Sequence, residues 1–212
     1  MIGRWRQGWV ILAQLVFCAA VGAAPADDHQ RGLQAYQRGD VVAAMAALRV
    51  ASKAGHAPSQ ALLAFIFDRA DFIEEAVQLY RDAAKQDDPE GLAGLAGLYF
   101  VGRGVAKDEN LALQHFSKAA DLGHAASIDT VALTYLQRGA GLNGDASEGA
   151  AAIAAWRRAA ERGHVPSAQA LADAYRSGRS GVSADGGQAA SWQARATELR
   201  KQQSAPSAKA TK

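Results

Sequence analysis

Apolar and small residues along this chain fall into two alternating helical patterns. The first is a nine-residue frame of alanine, a second residue three further on, and a small pair at plus seven and plus eight. It reads Ala44–Ala47–Ala51–Ser52, Ala76–Leu79–Ala83–Ala84, Ala112–His115–Ala119–Ala120, Ala152–Ala155–Ala159–Ala160 and Ala189–Trp192–Ala196–Thr197. With residues such as Tyr80 and Phe116 added, apolar positions recur at i, i+3, i+4 and i+7, the stripe of an amphipathic helix. Small residues at these points let a neighbouring helix come close, and the larger residue beside them fills the gap. The second pattern precedes each frame and ends in an aromatic: Tyr36, Phe67, Tyr99, Tyr135 or Tyr175. Four and three residues before the last four of these stand Leu63-Ala64, Leu95-Ala96, Val131-Ala132 and Leu171-Ala172, again one helical face.

Frames beginning at 44, 76, 112, 152 and 189 give a period of 32 to 40 residues, which marks an array of helix pairs. Glycine follows the first helix in most units (Gly39, Gly102, Gly139 and Gly178) and fits a left-handed helix end. The link between the two helices reads Gly104-Val105-Ala106-Lys107-Asp108, Gly141-Leu142-Asn143-Gly144-Asp145 and Gly181-Val182-Ser183-Ala184-Asp185, with the Asp placed to cap the second helix. Units one and two have shorter links, Gly39-Asp40 and Arg69-Ala70-Asp71. Unit four carries extra residues between Asp145 and Ala152, which predicts a late start for its second helix. Unit five ends in a charged run at 198–201 that suits a capping helix.

A first helix with L-A-x-x-Y-x-x-G, a link G-V-x-x-D, a second helix with A-x-x-[W/H]-x-x-x-A-A and then G-x-x-x-A resembles the Sel1-like repeat, a relative of the tetratricopeptide repeat. The resemblance implies a right-handed all-α solenoid of five helix pairs. It divides the chain into two short-link, tetratricopeptide-like units over 29–87 and three Sel1-like units over 88–201. Residues 202–212 are small, polar and Pro-containing and read as a disordered tail.

The amino-terminal end follows a different pattern. Arg4 and Arg6 precede an apolar run over 9–24, and Ala24-Pro25-Ala26 fits a small-x-small cleavage rule, with Val21-Gly22-Ala23 as a second candidate. Residues 1–26 therefore read as a signal peptide, and the protein as periplasmic or secreted. An uncleaved anchor is the weaker reading, because spanning a bilayer takes about 20 apolar residues. Acylation at Cys18, the single cysteine, fits poorly with the bulky Phe17 before it. Cleavage would leave no cysteine, so stability would rest on stacked repeats rather than disulfides.

Charge and motifs narrow the function. Without Arg4 and Arg6 the chain has 21 basic and 21 acidic residues, a balance that argues against nucleic acid. There is no G-x-S-x-G, H-E-x-x-H or phosphate loop, so no enzymatic activity and no cofactor are expected. His56, His124 and His164 occupy one loop position, but helix pairs are too wide for them to share a metal, which leaves a polar turn position. His115, Trp156 and Trp192 are expected in helix–helix contacts.

What remains is the surface of the first helices, the concave side in arrays of this kind. Positions two before, six before and one after the aromatic should point outward: Ala61, Phe65 and Asp68; Ala93, Gly97 and Phe100; Asp129, Leu133 and Leu136; Gln169, Asp173 and Arg176. Exposed apolar groups there mark a site for a protein partner. The competing expectation is that stacking covers Phe65, Phe100 and Leu136. The resemblance implies an interaction scaffold of the cell envelope; the alternative is a peptidoglycan or polysaccharide binder, for which only Phe65 and Phe100 offer stacking surfaces.

Overall fold

The computed structural model describes residues 24–139 and 146–204. Among these residues there are ten helices and no strand: α1 (Pro25–Gln37), α2 (Val41–Lys53), α3 (Ala57–Arg69), α4 (Ile73–Ala84), α5 (Pro89–Val101), α6 (Glu109–Asp121), α7 (Ala125–Arg138), α8 (Ala146–Glu161), α9 (Val165–Ser177) and α10 (Gly186–Ser204). They pair in sequence and stack as a right-handed α-solenoid. Each even helix packs on the odd helix before it and the one after, and odd helices also meet one another, as α3 meets α5 and α7 meets α9.

The alanine frame is the core of this stack. Ala44, Ala76, Ala112, Ala152 and Ala189 are all buried, as are Ala51, Ala83, Ala119, Ala159 and Ala196 seven residues later. Alanine at both points lets the axes approach to about 8 Å, the lower end of helix packing. Larger side chains fill the space beside them; Leu48, Leu92 and Leu171 are fully buried, each stabilising the fold by roughly 1.5–3 kcal/mol. Thr197, the last member of the frame, is exposed; among the described residues no helix follows α10 to cover it.

Helix ends follow local chemistry. Asp40, Asp108 and Asp185 accept hydrogen bonds from the free N–H groups of Ala43, of Asn110 and Leu111, and of Gln188. Asp145 lies outside the described residues. Gly102, Gly139 and Gly178 close α5, α7 and α9 in the left-handed conformation. In unit two Asp71, at φ 67°, takes the place of that glycine.

The three loop histidines are helix N-caps of a specific kind. His56, His124 and His164 sit immediately before α3, α7 and α9, and each Nδ1 lies 2.6–2.9 Å from the hydroxyl of a fully buried serine three residues on: Ser59, Ser127 and Ser167. Where Asp88 replaces histidine, its carboxylate caps α5 through the Gly91 N–H. The sequence repeats this H-x-x-S three times, and the buried serine gives the histidine its partner.

Two expectations need correction. The second helix of unit four starts at Ala146, directly after Asp145, so the extra residues form an added amino-terminal turn of α8. The last helix continues to Ser204, because Gln202 and Gln203 extend it, Gln203 donating to the Gly163 carbonyl. The expected tail therefore begins helical, and 205–212 lie outside the described residues. At the other end the expected signal peptide overlaps α1, whose first turn holds Pro25 and Ala26, a place where proline is well tolerated.

Candidate protein-binding face

The odd helices present one face of the array, and every junction between successive odd helices from α3 to α9 contains a cleft. The first is walled by α3 and α5, the second by α5 and α7, the third by α7 and α9. Each is floored by an aromatic of the intervening even helix: Tyr80, Phe116 and Trp156, all four residues after the frame alanine. One periodicity thus supplies both core and cleft floor.

Cleft one has a volume of about 510 Å³ and apolar walls of Leu33, Pro58, Leu62 and Phe65, with Ala61, Ala93 and Gly94 low on its sides. Gly94 is required there, since a Cβ would come within 2.1 Å of the Tyr80 ring. Burial pushes the Tyr80 phenol above its ordinary pKa, and the charges of Asp68 and Glu90 push it further. His29, at the α1 edge, is held below the usual histidine value by burial and by His56, whose ring centroid is 5.0 Å away; Asp88 opposes this weakly.

Cleft two, at about 530 Å³, is lined by Gly97, Phe100, Val101, Leu113, Phe116 and Leu133, with Glu109 and Arg138 among its polar residues. Cleft three is only about 200 Å³. Trp156 is 5% exposed, and its indole N–H donates to the Ala132 carbonyl at 3.2 Å.

The site residues expected from sequence separate along this face. Phe65 (38% exposed) and Phe100 (51%) stand open to solvent, as does Leu133 (43%). Tyr36 meets the Phe65 ring edge-on, and the Arg69 guanidinium lies 5.7 Å from its centroid. Ala61 is buried at 3% exposure and forms part of the cleft-one wall, a correction to its expected outward position. Leu136 is half-buried against the carboxy-terminal core, so stacking covers it as the competing expectation had it. Asp68 is bridged to the next repeat: Arg103 meets its carboxylate at 2.9 Å and donates to its carbonyl and to Asp71. Asp129 is half-buried on α7. Gln169, Asp173 and Arg176 join Gln193 and Arg200 of α10 in one hydrogen-bonded network.

Sequence reasoning missed the even-helix contribution to this face. Tyr80 and Phe116 repeat at frame plus four, a position that the helical stripe gives to packing, and His29 and Glu90 lie on turns of the odd helices away from the three outward positions. His115 packs as expected, stacked on Tyr99 with ring centroids 5.8 Å apart. No group of three or more metal-ligating side chains comes together among the described residues.

The Sel1 repeat family matches residues 68–88, 89–124 and 165–200. The chain carries Sel1 repeats. A Sel1 repeat protein from Oxalobacter formigenes is 27% identical, with a TM-score of 0.56 over 82% of this chain and 73% of that one. A protective antigen of uropathogenic Escherichia coli strains with an SLR fold is 26% identical, with a TM-score of 0.59 over 82% of this chain and 38% of the antigen. An uncharacterized protein of Neisseria meningitidis serogroup B is 34% identical over 108 residues, 48% of this chain and 22% of that protein. This Sel1-repeat chain therefore spans less than a quarter of the curated relative it matches. Sel1-repeat arrays are in general protein-interaction scaffolds rather than catalytic folds.

Proposed function

We propose that this Sel1-repeat array is an exported scaffold that holds a segment of a partner protein on the face of its odd-numbered helices. The observation that carries the reading is the pair of open clefts over Tyr80 and Phe116, bordered by the exposed rings of Phe65 and Phe100. Apolar, concave and rimmed by polar groups, they suit side-chain anchors of a peptide or helix. Export rests on the basic start, the apolar run over 9–24 and the small residues after it. Processing after Ala23 keeps α1 whole, whereas processing after Ala26 removes the proline of its first turn. No helix among the described residues is long and apolar enough to cross a membrane.

The test is affinity capture from envelope extracts with the native protein and with a Phe65→Asp/Phe100→Asp variant. One stoichiometric protein should be recovered by the native chain, and its affinity should fall roughly tenfold or more for the variant. Equal capture by a variant with native circular dichroism, or retention on purified cell wall without any protein, would overturn the reading. Amino-terminal sequencing of the periplasmic product should find a new terminus near residue 24; an intact Met1 there would remove the cleavage step, and absence of the chain from the periplasmic fraction would remove export.

A further inference from the structure

The two open clefts are separated only by α5, and α5 is unusually low where they meet. At the position two before the aromatic, successive odd helices carry Gln34, Phe65, Gly97, Leu133 and Asp173. Four of these stand on the face as exposed side chains; Gly97 leaves a gap between Phe65 and Leu133. Glycine inside a helix is destabilising relative to alanine, so it calls for a packing reason. Gly91 and Gly94 have one, since a Cβ would strike Ala83 or the Tyr80 ring. Gly97 has none among the described residues: a Cβ there would meet nothing within 4 Å. With Ala93 and Gly94 beside it, Gly97 forms a saddle joining cleft one to cleft two.

Among the described residues that line cleft one, charge is one-sided. Glu90 is the charged residue lining cleft one besides the titratable His29; it is well exposed, with the His124 Nε2 3.3 Å from one carboxylate oxygen. Beyond the lining, Arg103 pairs with Asp68 and Arg69 lies over the Phe65 ring, so Glu90 is the carboxylate left to meet a partner's charge. Cleft two adds Glu109 and Arg138, which offset each other.

We infer that the partner segment is a single basic amphipathic stretch. It places one apolar side chain in each cleft, passes its backbone over Gly97, and sets a Lys or Arg against Glu90. This rests on the functional reading above and gives it a ligand chemistry. The stem of a Lys or Arg suits an apolar wall while its charge meets a carboxylate at the rim. Adjacent packed helices lie about 8–10 Å apart, so the two anchors should be separated by about 10 Å. That spacing is met by residues i and i+3 of a polyproline II stretch, at about 3.1 Å per residue. Residues i and i+7 of a helix, at about 1.5 Å per residue, meet it equally well.

A random peptide library displayed on phage, selected on the immobilised full chain, tests this. Enriched peptides should carry two apolar residues at one of those spacings and a Lys or Arg. Their affinity should fall roughly tenfold for Gly97→Leu and several-fold for Glu90→Gln, and it should weaken with added salt. Gly97→Ala controls for folding; its melting temperature should rise while binding weakens. Peptides rich in acidic residues would overturn the inference. So would peptides lost on Phe65→Asp/Phe100→Asp but indifferent to Gly97→Leu and Glu90→Gln, an outcome that leaves the docking face standing. Peptides indifferent to all four substitutions, or no enrichment at all, would overturn both.

Discussion

The α3–α7 half of the face and the α7–α10 half are made from one repeat and end in opposite states. Both put an aromatic four residues after the frame alanine, and both flank it with two odd helices. Tyr80 and Phe116 leave clefts of about 510 and 530 Å³ above them. Trp156 leaves about 200 Å³, because the larger indole reaches across to the Ala132 carbonyl. Outward positions diverge in the same sense: Phe65, Phe100 and Leu133 are exposed, whereas Gln169, Asp173 and Arg176 are occupied with Gln193 and Arg200. A repeat scaffold therefore fixes where a binding cleft can form, and the side chains that line it set how far it stays open.

The largest effect should come from removing the floor aromatic where the cleft is closed. Trp156→Ala takes a buried indole and its hydrogen bond out of the carboxy-terminal core and should cost about 3–5 kcal/mol of unfolding free energy. Phe116→Ala at the equivalent position removes a half-exposed ring and should cost roughly half as much, since less area leaves water on folding. Urea denaturation of the two variants compares them directly. Equal losses would mean that the two clefts do not differ in packing at all.

How much of this was legible beforehand depends on what a residue does. The frame alanines, the aromatic ends of the odd helices and the Asp caps were readable, because close approach and free N–H groups constrain the residue type at one position. Exposure of Phe65 and Phe100 followed from the same register. Burial of Ala61 and Leu136 did not, because it depends on how far neighbouring helices lean over one another. The Asp68–Arg103–Asp71 bridge and the Gln169–Gln193 network join residues from different helices, some in different repeats, and no spacing in the sequence relates them. Cleft size was likewise hidden: it is the volume left over between three helices, set by side-chain size as well as by position.

A smaller effect is expected from Gln193→Ala. Gln193 ties α10 to Gln169 and Arg176 on α9, so its loss should destabilise the terminal pair by about 0.5–1.5 kcal/mol. It also frees Arg176 and Asp173 to face solvent. Hydrogen exchange should rise in α9 and α10 and stay unchanged in α3 to α5, because each repeat leans only on its neighbours. Faster exchange throughout the array would argue that the two halves are one cooperative unit.

The smallest difference concerns acid. His29 beside cleft one is held below the ordinary histidine pKa of 6.5 by burial and by His56, with Asp88 in partial opposition. His115, between α5 and α6, is lowered by burial and by Lys118. The folded chain therefore takes up these protons later than the unfolded chain as pH falls. Stability is full above pH 6.5 and drops as pH passes from there toward the lower folded values. Asp88 acts with the opposite sign, because burial raises its pKa, and it acts at lower pH, in the carboxylate range. Denaturation midpoints measured at pH 7.5 and at mildly acidic pH should thus fall for the native chain and fall less for His29→Gln/His115→Gln. Both lowered histidines lie on the amino-terminal side with the open clefts, His29 on α1 at the edge of cleft one and His115 on α6. A mildly acidic medium should accordingly loosen that half first, with exchange rising in α1, α3, α5 and α6 before α9 and α10. If exchange instead rises first in α9 and α10, the open-cleft half is not the acid-sensitive one.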